Sequence, residues 1–357
     1  MTGHLYVHVP FCAHRCGYCD FVTVTGHADL RARYVDALAA ELAGADVAPD
    51  TVFVGGGTPS ILADRDLARL LAALPPASEV TVECNPETVT REKAQVLVEG
   101  GVTRVSLGAQ SFRPHLLDVL ERRARPEQIT AAVGILREAG IQSLNLDLIF
   151  GVPGQREGDL RADLADLLAL GPDHVSSYEL EAKPGTRFTH RHGTELERQA
   201  EAMETYYEEV VATLRAAGYR WYETANFCRP GHECRHNLGY WLGHDYLGVG
   251  VGAVSTIGLE RHRNRPGLRR YLEAVEAGAR PPFDVEHLTP AERGMERLML
   301  GLRLDTPLRL NGLAALVDDD ACARLATAGM LVRENGSLVL TDHGRFLAND
   351  VVASVLR

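Results

Sequence analysis

From residue 4 to residue 180 the chain alternates short apolar runs with stretches of helical periodicity. Leu5-Tyr6-Val7-His8-Val9 alternates in the manner of a half-buried strand and is closed by Pro10. Leu30, Tyr34, Leu38 and Leu42 then recur at helical spacing. Thr51-Val52-Phe53-Val54 predicts a second strand, which runs into Gly55-Gly56-Gly57-Thr58-Pro59-Ser60. A helix leads on to a third strand at Val80-Thr81-Val82-Glu83. Thr90 is placed to cap the next helix and Gly100-Gly101 to stop it. A fourth strand over 102–107 closes on Gly108-Ala109-Gln110-Ser111-Phe112. Pro126 suits the first turn of another helix and Gly140 its end. Strands over 144–149 and 174–180 flank a helix over 159–170.

Six strands alternating with helices predict right-handed βαβ units and a parallel sheet, hence an α/β fold. Six units fall short of a closed eight-unit barrel, so a partial (βα)6 TIM-like barrel is expected. In such barrels the site forms at the C-terminal strand ends. The unusual residues of this chain fall there: three cysteines after the first strand, the glycine run after the second, then Glu83, Gln110 and Asp147.

Beyond this unit the pattern changes. Residues 195–217 read as one long helix with Met203, Tyr207, Val210 and Leu214 on a core-facing stripe. The glycine-rich run 248–258 suits close passage of backbone against another layer. Residues 290–357 read as two helices followed by Met330-Leu331-Val332, a turn at Asn335-Gly336 and Leu338-Val339-Leu340. The expected organisation is a barrel over 1–190, an extension over 191–288 and a small winged-helix-like domain over 289–357. Asp318-Asp319-Asp320 and a formal net charge of -11 argue against DNA binding by that last domain, or nucleic-acid binding by any other.

Composition adds little beyond this: 45% hydrophobic and 24% charged residues are ordinary for a soluble protein. The first strand begins within about five residues of Met1, where no secretory leader would fit, and no apolar run approaches the roughly 18 residues of a membrane span. A cytoplasmic, reducing compartment is expected. A peripheral membrane contact and a homodimer remain open partner states.

The densest chemistry is Cys12-Ala13-His14-Arg15-Cys16-Gly17-Tyr18-Cys19-Asp20-Phe21, which places three thiols on one tight loop. Each iron of a [4Fe-4S] cube takes one cysteine, so three thiolates hold three irons and leave the fourth open to a small ligand. A zinc site completed by His14 or water competes with this reading, although structural zinc generally draws on two separated ligand pairs. A disulfide is not expected in a reducing compartment. The glycine run offers close backbone approach, and a backbone N–H concavity before a helix would favour a carboxylate. Glu83 and Asp147 could attract a sulfonium by Coulomb force or could simply be solvated.

The C-x3-C-x2-C spacing resembles the signature of the radical S-adenosylmethionine (SAM) superfamily, whose open iron chelates the amino and carboxylate groups of SAM. Several motifs together look like the oxygen-independent coproporphyrinogen oxidase group: Tyr6 to Cys12, Gly55 to Ser60, Glu83-Cys84-Asn85-Pro86, Ser106 to Phe112, Asn145 to Gly151, His174 to Tyr178 and Gly185-Thr186. The resemblance implies that Cys12, Cys16 and Cys19 hold the cluster. It also implies that Tyr6, Gly56, Gly57, Thr58, Glu83, Gln110, Arg122 and Asp147 contact SAM, with Tyr18 packed beside it. The true oxidase carries a further cysteine two residues after the third, where this chain has Phe21. Phe21 and His236-Asn237-Leu238-Gly239-Tyr240-Trp241, which fits an HNxxYW motif, resemble the HemW-type heme chaperones.

That resemblance implies a chaperone that binds heme and delivers it to apo-hemoproteins; the alternatives are the oxidase itself or a radical SAM methyltransferase. An imidazole such as His236 can ligate heme iron, Tyr240 and Trp241 offer flat faces to a macrocycle, and Arg229 or Arg235 could meet propionates. Equally, His236 could hydrogen-bond locally while the aromatics pin a loop. Zinc on Cys228, His232, Cys234 and His236 is a further alternative. The histidines that the group carries in Gly-Arg-x-His and Gly-Ala-His elements are missing: the chain reads Glu121-Arg122-Arg123-Ala124 and Gly252-Ala253-Val254.

Overall fold

A computed structural model describes residues 3–181, 183 and 187–357; the Gly185-Thr186 pair lies outside them. Six strands alternate with helices as the hydrophobic pattern predicts: β1 (His4–Val9), β2 (Thr51–Gly56), β3 (Glu79–Cys84), β4 (Arg104–Gln110), β5 (Ser143–Phe150) and β6 (His174–Glu179). They pair in parallel and in sequence order. Val7, Val54, Val82, Leu107 and Leu146 are all fully buried, as continuous apolar runs require when helices cover one face and the barrel interior the other. The helix Arg31–Ala43 packs Tyr34, Val35 and Leu38 into this core. Each such side chain, once fully buried, contributes about 1.5–3 kcal/mol. Thr90 caps the helix Arg91–Glu99 by accepting from the Lys93 backbone N–H at 3.1 Å. Gly140, in the left-handed region at φ 97°, ends the helix Pro126–Ala139.

The same sheet is longer than the six-strand pattern predicts. Beside β6 run the short strands β7 (Arg220–Trp221) and β8 (Asn226–Cys228), with β8 antiparallel to β6. On the other edge β9 (Tyr246–Val249) lies parallel to β1, followed by the antiparallel strands β10 (Val254–Ile257), β11 (Glu260–Asn264) and β12 (Phe283–His287). The order across the twelve strands is β12-β11-β10-β9-β1-β2-β3-β4-β5-β6-β8-β7. These added strands are only two to five residues long and carry polar residues at most exposed positions, so periodicity gives them little signal. Gly248 explains the glycine-rich run: a Cβ there would sit 2.2 Å from the Val254 carbonyl oxygen.

The expected helix over 195–217 is instead two, Arg187–Ala200 and Met203–Ala216. C-terminal to them, β13 (Leu308–Arg309), β14 (Leu331–Glu334) and β15 (Ser337–Leu340) form a separate sheet in the order β13-β15-β14. Its hairpin turns at Asn335 and Gly336, both at positive φ (49° and 72°), as a type I′ turn requires. Leu298, Leu302, Val317, Leu338, Val351 and Val355 give this region its own core. Arg345 joins it to the main sheet, stacking 3.5 Å from the Trp221 ring centroid and donating to the Trp221 carbonyl at 2.9 Å. Among the described residues no helix is long and apolar enough to cross a membrane.

Candidate functional site

The C-terminal ends of β1 to β6 surround a cavity of about 360 Å³. Pro10 ends β1, and the loop that follows brings Cys12, Cys16 and Cys19 to the rim as free thiols. Opposite them lie Gly56 at the end of β2 with Gly57 and Thr58 after it, Glu83 and Asn85 at the end of β3, Gln110 at the end of β4 and Asp147 in β5. A register shift between Leu107 and Gln110 bulges β4, and Gln110 itself stands at φ 68°. A non-glycine residue in that region is strained, and bulges of this kind re-aim side chains at functional sites. Glu121, at φ 54°, is the second such residue beside the cavity and bonds His14 at 3.1 Å and Arg187.

The cavity wall is polar and connected. Cys12 Sγ lies 3.7 Å from Thr58 Oγ1, which also accepts from Asn85 at 3.2 Å. Asn85 Oδ1 accepts from Arg122 at 2.8 Å, and the same guanidinium reaches Cys16 Sγ at 4.0 Å. Deeper in, Asp147 accepts from Asn145 at 2.6 Å and from Ser106 at 3.3 Å. Burial pushes Glu83 up to about 7, partly countered by the Gly56 N–H and reinforced by the charge of Asp147. Burial likewise pushes Asp147 up to about 6 against its hydrogen bonds from Asn145 and Ser106. The thiols of Cys12 and Cys19 are raised by burial as well. Bound metal would reverse that, since coordination favours the thiolate.

Two expectations change here. The glycine run does not present a nest of free donors. Gly56 N–H donates to Glu83 Oε2 at 2.9 Å, Gly57 N–H to Val9 O at 2.8 Å and Thr58 N–H to Phe11 O at 2.8 Å. The glycines serve close packing instead: a Cβ on Gly56, whose φ is 108°, would lie 2.3 Å from the His8 ring, and one on Gly57 would lie 2.7 Å from Pro10. Tyr6 is the second change. It does not line the cavity, and its hydroxyl is engaged by His8 Nδ1 at 3.0 Å. Tyr18 does line it, edge-on to Phe188.

The HNxxYW segment is a short helix, Arg235–Trp241, and its histidine is not at the cavity. His236 is 1% exposed, with Nδ1 bonded to Thr51 Oγ1 at 2.9 Å and Nε2 to Tyr240 Oη at 2.9 Å. Both ring nitrogens are therefore occupied in this arrangement, and burial drives the imidazole down to about 3, so it is neutral. Trp241 is half-buried on the same helix. Arg229 lies over the Tyr219 ring and Arg235 donates to Ser78. The second zinc candidate disperses: His232 bonds Ser143, and Cys234 Sγ sits 3.8 Å from Glu79. Among the described residues no group of three His, Cys, Asp or Glu converges on a single ion. A cubane does not need such convergence, because each thiolate binds a different iron.

Sequence reasoning gave no role to Asn145, Ser106 and Ser176, which hold Asp147 in place. The signal was available: register pairs Ser106 with Asn145 and Asp147 with Ser176, all polar at strand positions that ought to be core.

With this geometry in hand, comparison with known proteins is decisive. The Radical SAM superfamily model matches residues 6–167, and the HemN C-terminal domain model matches residues 288–347. "Heme chaperone HemW" of Mycobacterium tuberculosis H37Rv is 41% identical, covering 99% of this chain and 94% of its own. The Bacillus subtilis protein of the same name is 32% identical, with 98% of each chain covered. The chain belongs to the HemW family of radical SAM proteins. The solved coproporphyrinogen III oxidase (HemN) of Escherichia coli shares the fold, with a TM-score of 0.82 at 23% identity over 99% of this chain and 90% of that one.

Members of the radical SAM superfamily use a [4Fe-4S] cluster and SAM, and the residues assembled here fit both. Three thiols free of disulfides face one cavity, and a buried polar atom on its wall, Arg122 Nε, has no partner among the described residues.

Proposed function

We propose that this chain is a heme chaperone that binds heme and delivers it to apo-hemoproteins, with a [4Fe-4S] cluster and SAM as resident cofactors. Cys12, Cys16 and Cys19 would hold the cluster. Glu83, Gln110, Arg122 and Asp147 would hold SAM, while Gly56, Gly57 and Thr58 keep the cavity wall thin. When bound, the cluster supplies one electron and an open iron. This chain's own part is to orient the sulfonium beside two carboxylates and to limit water access with Tyr18.

The observation that carries the reading is Phe21. Two residues past the third thiol, where the oxidase group has another cysteine, this chain has a ring 68% exposed at the cavity mouth, and Tyr178, 43% exposed, lines the same cavity. An apolar rim of this kind suits a macrocycle or a partner surface better than it suits redox chemistry. The full-length likeness to HemW relatives supports the same choice. The reading is of a cytoplasmic protein, where a reducing environment keeps the thiols available. Self-association and contact with a membrane face belong to it as well, and are read by sedimentation and by vesicle flotation of the reconstituted protein.

The test is anaerobic reconstitution with iron and sulfide, then titration with heme and transfer to an apo-hemoprotein. Saturable heme binding and transfer are expected. Conversion of coproporphyrinogen III to protoporphyrinogen IX, with SAM consumed in proportion, would overturn the chaperone reading.

A further inference from the structure

With His236 occupied on both nitrogens, the question is which group of this chain can reach heme iron. A hydrogen-bonded line runs from Tyr240 through His236 to Thr51, from Thr51 Oγ1 to His4 Nδ1 at 2.8 Å, and from His4 Nε2 to His244 Nδ1 at 3.1 Å. The His4 and His244 rings are near coplanar, at 14°. Gly239 makes the approach feasible, because a Cβ there would lie 2.3 Å from His4 Nε2. The line ends at the surface: His244 is exposed, and its Nε2 has no hydrogen-bond partner among the described residues.

His244 opens onto a groove of about 290 Å³ between the loop after the 235–241 helix and the helix Pro290–Gly301. Tyr240, Tyr246, Met299 and Leu300 line it, and Met299 is 42% exposed. Arg261 and Arg293 border it, but Glu296 already pairs with both.

We propose that His244 is the axial ligand through which this protein holds heme, its macrocycle lying against Tyr246 and Met299. This rests on the chaperone reading above. An imidazole that ligates metal through one nitrogen generally donates an N–H from the other to a fixed acceptor, which sets the tautomer and orients the ring. His4 fills that place. Buried and neutral, it can donate through Nδ1 to Thr51 and accept at Nε2 from His244 Nδ1–H, which leaves a bare lone pair on His244 Nε2. Because Glu296, Glu286 and Asp245 between them already pair with the two arginines, the iron bond and the apolar contact carry the attachment. That suits a carrier that must let go. His4 is a positioning residue; His244 would touch the iron.

The experiment is titration of the reconstituted full chain with ferric heme, followed by the Soret band, for wild type, His244→Gly and His4→Phe. Expected are a saturable one-to-one shift in wild type, loss of that shift in His244→Gly, and its return on adding free imidazole. His4→Phe should weaken binding about tenfold or more while keeping the wild-type band position. His244→Gly is an exposed change, and unaltered iron content and circular dichroism would verify its fold. A wild-type band that His244→Gly leaves unmoved overturns this assignment but not the chaperone reading. No saturable heme binding by wild type would overturn both.

Discussion

The cavity at the strand ends and the 235–241 helix are built from similar side chains, yet they use them in opposite ways. At the cavity, the thiols of Cys12, Cys16 and Cys19 are free of disulfides, those of Cys12 and Cys16 making only long contacts of 3.7 to 4.0 Å, the buried Nε of Arg122 lacks a partner among the described residues, and two carboxylates have their proton affinities raised by burial. Around His236, every ring nitrogen and both hydroxyls are used inside the protein. Unspent capacity marks a place prepared for a ligand; satisfied capacity marks a place prepared to stay put. A motif that includes a histidine does not say which of the two it belongs to.

The largest effect should come from the uncommitted side. Replacing any one of the three loop cysteines by alanine should abolish the cluster's absorption and paramagnetic signal, and a full complement of four irons in the triple variant would show that the thiols are not its ligands. Gly56→Ala joins a positive φ to a clash with His8, which together should cost about 2–5 kcal/mol in urea unfolding. A smaller loss is expected on the satisfied side: His236→Ala strands the hydroxyls of Thr51 and Tyr240, costing about 2–4 kcal/mol. Its heme Soret shift should survive, and its disappearance in a folded variant would return His236 to the heme site.

Acidity sharpens the contrast further. Glu83 has its affinity for protons raised from 4.5 to about 7 on folding, so the folded state keeps a proton that the unfolded chain releases. Its contribution to the stability of the cofactor-free protein is therefore highest below pH 4.5 and declines as pH rises to about 7. Glu83→Gln should remove that slope, gaining on the order of 2–3 kcal/mol relative to wild type between pH 5 and pH 8 in parallel urea titrations. SAM affinity should move the other way in wild type, strengthening across the same window as the carboxylates ionise. The smallest expected effect is that of Asp147→Ala, which should weaken SAM about tenfold with iron content unchanged. Equal affinity by calorimetry would make Asp147 a structural residue.

Much of the cavity could be read before any coordinates, because long parallel strands announce themselves by apolar runs and their ends by glycine and proline. The residues after the first five strands met where that reasoning put them. What stayed hidden depended on contacts distant in sequence. That Gly56, Gly57 and Thr58 donate inward, to Glu83, Val9 and Phe11, follows from strand register rather than from the glycines themselves. Tyr6 meets His8 because residues two apart on β1 share a face; it is the face whose register partner Phe53 lines the cavity, but the Tyr6 hydroxyl turns along the strand to His8 instead of into that space. His4, at the very start of the chain, had no visible reason to meet His244. Their contact exists only because β9 lies against β1.

That pairing also imposes an order of events in time. The strand whose end carries the cysteine loop leaves the ribosome well before β9, and β2, which follows soon after it, can cover one of its edges early. The other edge waits for β9, whose last residue is Val249, some 240 residues after Val9. At translation rates of 5–20 residues per second this is about 10–50 s of synthesis during which β1 has one bare edge. A cluster inserted during that interval would meet a half-built barrel, and the nascent chain would expose an unpaired parallel edge to its neighbours on the same message.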